Sequence, residues 1–93
     1  MDTTVRVIKL VTGEEIIARI ADSQDGFLHL ERPKLVHPLP PNAAGQLGVG
    51  LAPWCLAGEP SSIKIETKHV MVNVEPKKDM EKSYLSAITG ITL

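Results

Sequence analysis

Residues 16–21 constrain the fold more than any other stretch. Ile16, Ala18 and Ile20 interleave with Ile17, Arg19 and Ala21, the two-residue period of a strand with apolar side chains on both faces. Such a strand must be covered on both sides, as in a small barrel. Residues 5–11 precede it and are apolar and β-branched apart from Arg6 and Lys9. Thr12-Gly13 lies between the two, and Gly13 can take the positive φ of a tight turn. The polar residues 22–26 predict a second turn, closed by Gly26. Residues 27–32 predict a third strand, with Leu28 and Leu30 on one face and Phe27 and His29 on the other.

Pro33, Pro38, Pro40 and Pro41 predict a loop or a ragged edge over residues 33–45, because proline removes a ladder donor. Leu47, Val49 and Leu51 then alternate with Gly48, Gly50 and Ala52, a strand with one nearly bare face that Trp54, Cys55 and Leu56 extend. Residues 57–61 read as a turn. Ile63 and Ile65 open a fifth strand that continues through Val70, Val72 and Val74 after a bend near Thr67. Pro76 suits the first turn of a helix over about residues 77–89. Met80, Tyr84, Ala87 and Ile88 form its apolar stripe, and Gly90 is its C-cap. The stripe is expected to pack on the barrel's open end or on a neighbouring subunit. Residues 1–93 thus read as one mostly β domain, with a barrel over about 4–75 and a short C-terminal helix.

At 93 residues the core is small, and the single cysteine, Cys55, rules out an internal disulfide within this sequence. Self-association is the remaining ordinary supplement to stability. The single cysteine fits a reducing cytoplasm, and no secretory leader or bilayer-spanning apolar run is evident. The formal net charge of −1 gives no overall basic balance for a nucleic acid, so any such contact needs a local cluster. Phe27, Trp54 and Tyr84 are the only aromatics available for stacking.

Residues 5–32 resemble the first motif of Sm-like (LSm) proteins, bacterial Hfq included. The resemblance rests on Leu10-Val11-Thr12-Gly13, then Ile16, the small Ala18, Ile20, a polar turn, and Phe27-Leu28-His29-Leu30. Residues 68–76, Lys-His-Val-Met-Val-Asn-Val-Glu-Pro, resemble the Lys-His strand that closes Hfq. Small Sm-like proteins of marine phages are the most similar in style, which would place the chain in a host cytoplasm. The resemblance implies a strongly bent five-stranded antiparallel barrel. It also implies a homo-oligomeric ring of about five to seven subunits, built by pairing edge strands. The departures are specific. The helix sits at the C-terminus, and residues 33–59 are long. Ala18 stands for the usual Gly, Gly26 holds the base-stacking aromatic position, and Glu66-Thr67 replaces an Arg-Gly pair.

The resemblance implies single-stranded RNA as partner, bound without catalysis in a regulatory or chaperone-like role. It points to Lys68 and His69 at the pore, with Phe27 and Asp25 beside them. Val70, Val72 and Trp54 are the expected subunit-interface residues. The plainer alternative makes Lys68-His69 a polar turn and Phe27 a core residue. The barrel would then serve as a protein-interaction or structural module, or a phage assembly component. Free donors on Lys68 and His69 would favour RNA, and neutralisation by Glu66 or Asp25 would favour the module. The Thr12-Gly13 turn is expected at the end of the barrel opposite Lys68-His69.

No cofactor or metal is expected, because His29, His37, His69 and Cys55 match no zinc spacing. No enzyme is expected either. Ser61, Ser62 and Ser83 lack a nucleophile context, and the adjacent Glu14 and Glu15 of a strand point to opposite faces.

Overall fold

The computed structural model describes residues 4–22, 25–45, 48–54 and 62–89. Six strands, a 3-10 turn and one helix follow in chain order. They are β1 (Thr4–Leu10), β2 (Glu15–Asp22), β3 (Phe27–Leu39), β4 (Gly48–Pro53), β5 (Ser62–Glu66), the turn Thr67–His69, β6 (Val70–Val74) and α1 (Lys78–Thr89). All strand pairs are antiparallel, and the sheet runs β4-β3-β2-β1-β6 with β5 also on β3. β4 pairs residues 34–39 of β3 and β5 pairs residues 27–31, so the two occupy one strand position. The result is a mostly β fold, an open, bent antiparallel barrel-like sheet with five strand positions, and a short C-terminal helix.

The alternation of β2 is satisfied on both faces. Ile16, Ala18 and Ile20 join Ile8, Leu10, Leu28 and Leu30 in the core, with Trp54, Ile65 and Val70 packed against it. On the opposite face Ile17 and Ala21 are buried as well. Burying each large aliphatic side chain contributes about 1.5–3 kcal/mol, and a one-residue slip would turn Arg19 into the core in place of Ala18, so the observed register is favoured. Gly13, at φ +97°, turns β1 into β2, and its N–H donates to the Leu10 carbonyl at 2.9 Å.

Three expectations need correction. Residues 33–39 are not a loop but the second half of β3. Pro33 sits where the β2–β3 register shifts between Ile17/Arg19, and Pro38 lies past Glu15, the last paired residue of β2, so neither breaks a continuous ladder. The Thr12-Gly13 turn is not opposite Lys68-His69. The Val11 N–H donates to the His69 carbonyl at 2.8 Å, because β1 pairs β6 through Leu10 and Val70. The stripe of α1 is fully buried only at Tyr84. Tyr84 is fully buried against the β2–β3 pair of its own sheet, while Ala87 is exposed. Trp54 is a bend after β4, and Cys55, Leu56 and Gly90 lie outside the described residues.

The β2–β3 irregularity is a bulge. Ile17 faces Lys34 and Arg19 faces Glu31, so Ala18 alone opposes Arg32 and Pro33. Arg32 adopts φ +49°, a left-handed conformation uncommon for a residue with a side chain. The Arg19 N–H donates to the Tyr84 Oη at 3.2 Å, and that hydroxyl lies 3.0 Å from the Glu31 carbonyl and 2.9 Å from that of Arg32.

Candidate nucleic-acid face

The fold gathers the four RNA-site residues expected from the sequence. Phe27, at the start of β3, pairs with Glu66, at the end of β5. The Thr67 N–H and hydroxyl both donate to the Gly26 carbonyl, at 2.9 and 3.0 Å. Gly26 can present that carbonyl because it turns at φ +83°. The Asp25-Gly26 turn and the Thr67–His69 turn are thereby held side by side. Lys68 and His69 are exposed there, and Phe27 is half-buried.

The sequence reading missed Lys64. Its Nζ lies 4.6 Å from the centroid of the Phe27 ring and 3.1 Å from the Asp25 carboxylate. The alternation Ile63-Lys64-Ile65 does put Lys64 on the face away from the core. Only the register, which sets Lys64 opposite His29, brings it diagonally to Phe27. Lys68 is also paired, 3.0 Å from the Glu66 carboxylate.

These contacts are worth little energetically. Exposed ion pairs contribute about 0–1 kcal/mol each, and an exposed cation over an aromatic ring about 0.5–1 kcal/mol. Their effect is on charge. Two lysines and two carboxylates cancel, so a single protomer presents an aromatic flanked by cations whose field is locally neutralised.

The expected interface residues divide. Val70 and Trp54 pack against the core of their own chain, and the Trp54 indole N–H donates to Glu14 Oε2 at 2.7 Å. Val72 stands on β6, whose outer edge is unpaired among the described residues. Met71, Val72 and Val74 are 64%, 42% and 46% exposed there, and Val49 is 50% exposed on the equally unpaired edge of β4.

Among the described residues no three His, Cys, Asp or Glu side chains group as for a metal, and no helix is long and apolar enough to cross a membrane. No family model matches the chain, and no curated protein matches it.

Proposed function

We propose that this chain is a ring-forming, non-catalytic Sm-like protein whose turn face contacts single-stranded RNA in the cytoplasm, a host's cytoplasm if the chain is of phage origin. The observation that carries the reading is the convergence of Phe27, Lys64, Lys68 and His69 around the paired Asp25-Gly26 and Thr67–His69 turns. Among the described residues the outer edges of β4 and β6 are unpaired and carry exposed apolar side chains, which supports the ring, since each supplies what the other lacks. Around a ring the cluster repeats, and weak local contacts add. Because its ion pairs are exposed and weak, phosphates can compete for both lysines.

The Lys68–Glu66 pair meets the condition set above for a second reading, a protein-interaction module on the same barrel, and the two ion pairs leave the cluster without net charge. Fluorescence anisotropy with short labelled U-rich and A-rich RNA separates the two. The RNA reading expects binding at low salt that weakens as salt rises, with a slope of about 0.7 per phosphate contacted. It also expects Lys64→Ala and Lys68→Ala to lower both affinity and slope. No binding at low salt overturns it and leaves the interaction module.

A further inference from the structure

We infer that α1 is a clamp on the β3 bulge, so that helix docking holds the second half of β3, and with it the β4 edge, in place. The bulge breaks the β2–β3 ladder between Ile17 and Arg19, and the helix supplies an acceptor for the Arg19 N–H beside the break. The buried Tyr84 hydroxyl accepts the Arg19 N–H and gives its one proton to the carbonyl of Glu31 or Arg32. The bond is returned. Arg32 Nη1 donates to the Ile88 carbonyl at 2.6 Å, a helix-end acceptor with no partner inside α1. A cation at that end also complements the helix dipole. Neither element is self-sufficient: the bulge without the helix loses the acceptor of the Arg19 N–H and the Tyr84 and Ile88 bonds that hold Arg32 at positive φ, and the helix without the bulge loses its only fully buried side chain.

The bulge divides β3 at the point where its partner changes. Residues 27–31 carry β5, and residues 34–39 carry β4. Bulges bend a strand and increase its twist. The bend at Arg32-Pro33 therefore aims the second half, whose residues 34–36 pair residues 15–17 of β2 beyond the bulge, while the first half is fixed by β5 and by β2 on the other side of it. Releasing α1 loosens the bulge, so that residues 34–39 and 48–53 can shift in direction as one unit relative to residues 27–31, still tethered by the pairing of residues 34–36 to β2 and by the Trp54–Glu14 bond. On the ring reading given above, on which this last step alone rests, docking of α1 gates assembly by presenting or withdrawing the β4 edge.

Amide hydrogen exchange on the full chain tests the clamp, and sedimentation of the same samples tests the ring. In Tyr84→Phe, exchange is expected to rise by about tenfold or more at residues 34–39, 48–53 and 78–89, with residues 4–10 and 27–31 little changed. A uniform rise, or one confined to the helix, overturns the clamp. Should Tyr84→Phe fail to fold, native-state exchange of the unmodified chain in low denaturant gives the same decision. The clamp requires residues 34–39 and 78–89 to open as one unit with one denaturant dependence, and separate openings refute it. A monomeric chain whose exchange follows this pattern keeps the clamp and removes only the ring.

Discussion

The single tryptophan offers a stringent stability test. The Trp54 indole N–H reaches across 40 residues to Glu14 Oε2 at 2.7 Å, and the Thr12 hydroxyl donates to the other oxygen of Glu14 at 2.8 Å. The carboxylate thus ties the β1–β2 turn to the end of β4. Trp54→Phe keeps most of the aromatic area against the core and removes the donor. A hydrogen bond to a charged group contributes about 1.5–3 kcal/mol net, and partial exposure lets water replace some of it, so the expected loss is about 1–2 kcal/mol. In a domain of this size, that lowers Tm by roughly 5–10 °C. Glu14→Gln keeps an acceptor but loses the charge, and is expected to cost about half as much. The decisive assay is a double-mutant cycle by urea denaturation, followed by far-UV circular dichroism at one fixed protein concentration. Trp54→Phe and Glu14→Ala remove the same bond, so their coupling should be about 1 kcal/mol. Additivity within about 0.3 kcal/mol would show that the bond contributes nothing and refute the reasoning.

Two further predictions concern the helix and the free edge. Burial holds the Tyr84 phenol above its ordinary value of 10.0, and the neutral form is the one that bonds the bulge. A group whose value is raised on folding gives its full stability below its unfolded value, so the advantage of the native chain over Tyr84→Phe should be constant below about pH 10 and shrink above it. Denaturation midpoints of both proteins across that range measure it, and a gap that widens with pH would contradict the placement. Val72→Lys puts a charge on the unpaired β6 edge, where Val72 is 42% exposed. Sedimentation should show a smaller assembly with fold stability changed by no more than about 0.5 kcal/mol, whereas an unchanged mass would remove β6 from the interface.

Much of the fold was legible because period and turn chemistry agree. The alternation at residues 16–21 and the glycines at 13 and 26 place β1, β2 and the start of β3, and Met80, Tyr84 and Ile88 place the helix. The continuation of β3 through Pro33 and Pro38 was not legible, since a proline's cost depends on which side of the strand is paired. That pairing belongs to β2 and β4, not to local sequence. The docking of Tyr84 was hidden for the same reason. A stripe tells that a face is buried but not against what, and the bulge it caps exists only once Ala18 meets Arg32 and Pro33. At the candidate face, Lys68, His69, Phe27 and Asp25 do meet at neighbouring turns. Lys64 and the two ion pairs needed the register to be seen, and they alter the electrostatics most.

The sharing of β3 by two half-strands also sets a sequence of events for the chain. Pairing of β3 with β4 needs only the closure of a short loop between Leu39 and Gly48, as the β1–β2 pair needs only that between Lys9 and Glu15. Pairing of Glu31 with Ser62, and of Leu10 with Val70, closes far longer loops and carries the larger entropic penalty. The local hairpins can therefore zip first, and the distant pairings come last. Lys64, Glu66, Lys68 and His69 all arrive with those last pairings. A half-folded chain consequently carries Asp25, Gly26 and Phe27 without Lys64, Lys68 and His69 beside them, so a ligand of the proposed face would discriminate finished molecules from unfinished ones.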